Sequence, residues 1–274
     1  MTTEKICDMR NKIIHEFTSI SYKNGLNTRT VFEDFCLISM ASFHNMLYTL
    51  GKIPVPGSYK NNYEELEQEF ERQKEKYGDQ IFQTFADILG TIALCTRRDY
   101  FDYLGEIYMQ INANSKVHGQ FFTPSHICEF MAKIISGGKN NFEDQYAEQG
   151  FVRFSDPCCG SGAMAIGYIK DLEEQGIKDL DVKLYIELQD IDVTCVRMAF
   201  LNMTIFGVSS RIIWGNSLAP HNDFPFYDTP FLQMALMQGF FRKPQDANKN
   251  RIDKISETAT RAADSLPMGQ LSLF

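Results

Sequence analysis

The chain has 274 residues, of which 44% are hydrophobic and 23% charged, with a formal net charge of −8. That length accommodates one large or two small domains around a buried core. Its basic doublets, Arg97-Arg98 and Arg242-Lys243, are isolated, which counts against autonomous tight DNA binding, because phosphate neutralisation supplies much of that affinity, but leaves room for a local patch formed by the fold. No apolar run reaches the ~18 residues of a membrane span, and Met1–Arg10 lacks the apolar centre of a signal peptide. Seven cysteines without a Cys-x-x-Cys pair fit reduced thiols rather than a zinc site or a disulfide framework. A cytoplasmic protein without a metal is expected.

Residues 1–115 read as helical. Val31–Leu50 places Phe32, Phe35, Leu37, Ile38, Met40 and Leu47 at helical spacing, Asn62–Lys76 is a charged helix face, and Ile81–Leu94 is apolar enough to pack. The pattern then changes. Phe151–Phe154 is a β-prone run, Ala163–Glu174 a helix with Gly176 as its cap, and Val182–Leu188 a second strand. Thr194–Phe206 is a second helix and Arg211–Trp214 a third strand. Strands alternating with helices predict a parallel sheet with right-handed crossovers. Beyond Leu218, residues 219–231 are rich in proline and aromatics, and 232–242 suit one further helix. The expected organisation is a helical domain over 1–115, an α/β domain over 116–242 and a flexible tail over 243–274.

The first predicted strand runs into Asp156-Pro157-Cys158-Cys159-Gly160-Ser161-Gly162, and a helix follows. Glycines there permit a tight turn and bring a ligand against the main chain, while the helix N-terminus offers free amides. Gly160-Ser161-Gly162 with Ala165 also satisfies the dinucleotide pattern G-x-G-x-x-A, so the loop alone leaves a nicotinamide-type ligand open. Two acids narrow it. Asp156 precedes the loop, where a carboxylate meets a cationic or amine-bearing ligand. Asp190 ends the second predicted strand, where an acid grips ribose hydroxyls, although it lies 30 residues beyond Gly160 rather than the roughly 20 of dinucleotide folds.

Gly119-Gln120-Phe121-Phe122-Thr123-Pro124, the Asp156–Gly162 loop, Asp190–Asn202 and Gly215-Asn216-Ser217-Leu218, in that order, resemble the N-6 adenine-specific DNA methyltransferases of type I restriction-modification systems. Asp102–Tyr108 is similar to the helix that the family places before the first of these. The resemblance covers residues 99–218. It implies an α/β fold in which a helical N-terminal region precedes a truncated Rossmann-like S-adenosylmethionine-dependent methyltransferase domain. It also implies that Phe121, Thr123 and Pro124 line the methionine end of S-adenosylmethionine and that Asp156, Gly160 and Gly162 cradle its amino-acid portion. Asp190 would then hold the ribose, Ile191 pack near the adenine, and Asn216, where the family has aspartate, accept from the adenine amine.

The family methylates a base flipped out of the duplex, held by an Asn/Asp-Pro-Pro-Tyr/Phe motif. No Pro-Pro pair occurs in this sequence. The nearest approximations are Asp223-Phe224-Pro225-Phe226 and Asp228-Thr229-Pro230-Phe231, which leaves Asp223, Pro225, Phe226, Asp228, Pro230 and Phe231 as catalytic candidates. The last five residues, Gln270-Leu271-Ser272-Leu273-Phe274, resemble the bacterial sliding-clamp-binding pentapeptide, with Gln270, Leu271, Leu273 and Phe274 as anchors. The leading expectation is an S-adenosylmethionine-binding homologue of adenine-specific DNA methyltransferases that needs help from another subunit for DNA and catalysis. The alternatives are a non-catalytic adaptor recruited to the clamp and, more remotely, a dinucleotide-dependent oxidoreductase.

Overall fold

The computed structural model describes residues 3–51, 60–112, 122–219 and 224–241. Phe121, Asp223 and the tail positions Gln270, Leu271, Leu273 and Phe274 lie outside the described residues.

Four helices open the chain: α1 (Thr3–Asn24), α2 (Thr28–Thr49), α3 (Lys60–Asp99) and α4 (Tyr103–Asn112). Asn27 caps α2 by accepting from Thr30 N, and α3 breaks at Gly78, whose φ of 70° is non-helical. Phe17, Phe32, Phe35 and Phe85 meet edge-on between these helices, which is how aromatic quadrupoles prefer to pack. Next come α5 (Ser125–Ser136) and α6 (Gly138–Gln149), joined through left-handed Gly137.

The sheet follows: β1 (Val152–Asp156), α7 (Ala163–Glu174), the single turn α8 (Leu180–Lys183), β2 (Leu184–Asp190), α9 (Val193–Phe206) and β3 (Ser209–Trp214). β4 (Phe226–Asp228) and α10 (Pro230–Met237) complete the described chain. The strand order is β1-β2-β3-β4, with the first three parallel and β4 antiparallel to β3. The parallel α/β unit expected from the sequence is present, and α7 has the predicted bounds. β2 begins two residues later than the predicted Val182, because Asp179 at φ 59° starts the turn of α8. β4 was not expected. Three residues carry no periodicity, and their strand geometry comes from pairing with Arg211–Ile213.

The sheet's two faces are unlike. Val152, Phe154, Leu184, Ile186, Leu188 and Ile212 are buried under α7 and α9. That layer continues into the N-terminal helices, since α2 and α3 both pack on α9 and one apolar core runs through all of them. The opposite face shows Arg153, Ser155, Tyr185, Glu187, Arg211 and Ile213, which are exposed or half-buried, and no described helix covers it. Parallel sheets are normally covered on both faces. β1, the first strand, is also an edge strand, paired only with β2 among the described residues. No described helix is long and apolar enough to cross a membrane.

Candidate functional site at the carboxyl edge of the sheet

The loop after β1 is bound to the end of β2. Cys159 N donates to Gln189 O at 2.9 Å, Gly160 N to Asp190 Oδ2 at 2.9 Å, and Asp192 N to Asp190 Oδ1 at 2.9 Å. Gly215 N, beyond β3, donates to Asp190 O at 2.9 Å. Asp190 therefore ties three segments together through backbone amides alone. Asp156 Oδ1 accepts from Cys158 N at 3.1 Å. Burial, and secondarily the Asp190 charge, raises the Asp156 carboxyl above the ordinary range. Among the described residues, neither acid has a cationic partner.

Each glycine has a local reason. Gly160 sits at φ 55°, and a Cβ there would lie 3.1 Å from the Phe122 ring. Gly162 caps α7 at φ 88°. Phe122 stacks on Tyr108 at 5.8 Å, so the aromatic that covers the loop is braced by α4. Thr123 and Pro124 follow at the start of α5, where Pro124 O accepts from Ile127 N and Cys128 N. Ile191 is exposed, and the Trp214 indole donates to its carbonyl at 3.1 Å. Asn216 Oδ1 accepts from Leu218 N at 3.0 Å, closing the turn after β3. The described cofactor candidates, Thr123, Pro124, Asp156, Gly160, Gly162, Asp190, Ile191 and Asn216, thus gather on one edge. Cys159 is buried, which pushes its thiol well up and keeps it unreactive.

A support beneath this loop was not singled out in the sequence. Asp102, buried, accepts from Gly105 N at 2.9 Å, from Asn202 Nδ2 at 2.9 Å and from the Ser161 hydroxyl. Asn202 also donates to Ser161 O at 2.9 Å. Burial raises the Asp102 carboxyl, and these three donors oppose that rise. A Cβ at Gly105 would overlap Asp102 Oδ2 and approach Ser161 Oγ to 2.6 Å. The available signal was polar Asn202 inside the otherwise apolar stretch Met198–Met203 of α9.

The two groups of catalytic candidates separate. Phe224-Pro225-Phe226 folds back on the end of β3. Trp214 N donates to Pro225 O at 2.9 Å, and the Phe224 ring occupies the space a Cβ at Gly215 would need. Phe224 and Phe226 line a cleft of 460 Å³ with Pro157, Gln189, Arg211 and Ser217, opening on the uncovered sheet face. Asp228, Pro230 and Phe231 go the other way, towards the amino edge, because β4 is antiparallel. There Asp228 is fully buried, Arg211 donates to its oxygens at 2.8 and 2.9 Å, and Thr229 caps α10 with Pro230 in its first turn. The geometry gives these residues structural work. Among the described residues no group of three or more His, Cys, Asp or Glu is arranged to hold a metal ion.

A parallel α/β sheet with a glycine loop and acids at its carboxyl edge defines a class of proteins that hold nucleotide-like ligands outside the strand ends. Within that class the resemblance is specific: the model for N-6 DNA Methylase matches residues 97–231, and over that segment the chain is similar to this family. It is similar to the type I restriction enzyme MpnII methylase subunit of Mycoplasma pneumoniae, 33% identical over 110 residues, which are 40% of this chain and 18% of that protein. It is also similar to the type I restriction enzyme MjaIX methylase subunit of Methanocaldococcus jannaschii, 25% identical over 159 residues, 56% of this chain and 25% of that protein. The matches thus span at most a quarter of the length of these curated relatives. The crystal structure of the type I restriction-modification system methyltransferase subunit from Streptococcus thermophilus aligns with a TM-score of 0.40 at 14% identity, over 81% of this chain and 60% of that one.

Proposed function

We propose that the chain binds S-adenosylmethionine along the carboxyl edge and serves as the cofactor-binding part of an N-6 adenine DNA methyltransferase. The observation that carries this reading is the pair Asp156 and Asp190 flanking Gly160, with no cation beside either among the described residues. Two carboxylates suit a ligand bearing an ammonium and a sulfonium, and they disfavour the pyrophosphate of a dinucleotide. Asp156 and the Gly160–Gly162 loop would hold the amino-acid portion, Asp190 the ribose, and Ile191 with Asn216 the adenine. When bound, this cofactor supplies an electrophilic methyl group.

The acceptor side has a different support. Asp228 is engaged by Arg211 at the far edge, which takes it out of the role of acceptor for an adenine amine. Methyl transfer therefore belongs to an assembly with DNA and a partner subunit, in keeping with the naming of both relatives as methylase subunits. Gln270, Leu271, Leu273 and Phe274 match the sliding-clamp pentapeptide, which supports clamp docking by the tail; Leu273→Ala with Phe274→Ala is expected to abolish retention on immobilised clamp. Calorimetry tests the pocket: S-adenosylmethionine binds and NAD does not. Binding of NAD alone would sink the reading. Tritiated methyl transfer to unmethylated genomic DNA, with and without the partner subunit, tests the assembly.

A further inference from the structure

A cavity of 330 Å³ lies where α3 and α9 meet the β4 side of the sheet, and none of the glycine-loop residues lines it. Its volume falls in the ~300–1,000 Å³ range of small-ligand sites. Helical spacing builds two of its walls. Asn62, Glu65, Leu66 and Glu69 share one face of α3, and Val193, Val196 and Arg197 share one face of α9. Leu37 and Met40 of α2 add apolar surface, and Trp214 from β3 and Tyr227 from β4 add aromatic surface.

Several polar groups at this cavity are already engaged. Asn62 Nδ2 donates to Phe226 O at 2.7 Å, Glu69 accepts from Arg72 and Gln73, and the Trp214 indole donates to Ile191 O at 3.1 Å. Three others are not. Among the described residues, half-buried Arg197 and exposed Glu65 have no hydrogen bond or ion pair, and the Tyr227 hydroxyl has no hydrogen bond. Burial raises the Tyr227 phenol, Arg197 opposes that rise and Glu65 adds to it, so the three groups face a common space. Arg197 also acts on Glu69 without forming an ion pair with it. A guanidinium drawn partly out of water without an acceptor costs free energy that a ligand recovers.

The pattern of donors and acceptors selects that ligand. A guanidinium only donates, in a fixed fork, and a carboxylate only accepts. The occupant therefore needs two adjacent acceptors on one edge and donors on another, and the aromatic walls suit a flat ring. Guanine has O6 and N7 for an arginine, and an N1–H and N2 amine for an acid. Adenine sets its N6 amine beside N7, so the guanidinium would meet a donor. We propose that this cavity is a guanine-binding site. Arg197 donates to O6 and N7, Glu65 accepts from N1–H and the N2 amine, and the base stacks on Trp214. A free guanine nucleotide and a guanine in a single DNA strand present the same edges. The proposal does not depend on which ligand the glycine loop holds.

Calorimetry on the full chain with guanosine, adenosine and cytidine monophosphates, and with short single-stranded oligothymidylates carrying one guanine, adenine or cytosine, tests it. In at least one of the two series guanine is expected to bind about tenfold or more tightly than the other bases. Preference in the nucleotide series supports a site for a small molecule, and preference in the oligonucleotide series a site for DNA. Arg197→Lys keeps the charge without the fork and should abolish the preference. Glu65→Gln should weaken guanine binding about tenfold, and both variants should keep the melting temperature of the parent chain. Failure of S-adenosylmethionine to bind would leave these results standing. No binding of guanine in either series, equal affinity for all bases, a preference for adenine or cytosine, displacement of guanine by S-adenosylmethionine, or binding indifferent to both substitutions would each overturn the proposal.

Discussion

The two ends of one sheet treat the same residue type in opposite ways. At the amino edge Asp228 is fully buried, and both its oxygens are held by Arg211. At the carboxyl edge Asp156 and Asp190 are held by backbone amides only. An acid matched by a guanidinium is neutral to its surroundings, and its role ends with the fold. An acid held by peptide dipoles keeps its charge available, so the carboxyl edge is where a cationic ligand gains most.

The sharpest way to break that comparison is at Asp228. Asp228→Ala leaves the Arg211 guanidinium without its bidentate partner and should cost about 2–4 kcal/mol of stability, seen as a lower denaturant midpoint, with cofactor affinity unchanged in the folded variant. A folded variant that no longer binds would end the distinction between the edges. The mirror experiment is Asp190→Ala. It removes a charged hydrogen-bond acceptor from the loop, and the dissociation constant for S-adenosylmethionine should rise by about 10- to 100-fold in calorimetry, with a smaller stability loss than at Asp228. Gly160→Ala tests the loop's backbone. At φ 55° and against Phe122, the methyl should cost about 1–2 kcal/mol in chemical denaturation.

The smallest expected effect is a pH slope. Burial raises the Asp102 and Asp156 carboxyls above 3.8 in the folded chain, so the folded state holds those protons more tightly than the unfolded one. Their stabilising contribution is present below 3.8 and is lost as pH rises through the raised folded values. Asp102→Asn should flatten that part of the stability profile; an unaltered slope would show that Asp102 does not titrate there.

The sequence made the parallel α/β unit legible because its signals are local. Ala163–Glu174 follows the glycine loop and ends at a turn, and Asp190 closes a β-prone run. The support under the loop was hidden by distance. Asp102 meets Ser161 59 positions away and Asn202 100 positions away, and a short polar side chain in a helix gives no periodic signal. β4 was hidden for a related reason, since Phe226–Asp228 is a strand only beside Arg211. The exposure of Phe130 and Ile134 on α5 was equally unreadable. The pattern of α5 is that of any amphipathic helix, and only the assembled fold shows that small Cys128, Ala132 and Ser136 turn inwards.

That inverted helix also sets an order of motion. A segment fastened to α7 along that one seam opens at lower free energy than α7 itself, which is gripped by α5, α9 and β1. Amides of α5 should therefore exchange with deuterium sooner than those of α7. Because the chain entering α5 carries Phe122 over Gly160, the cover of the glycine loop belongs to the region that yields first, and the loop beneath it to the region that yields last.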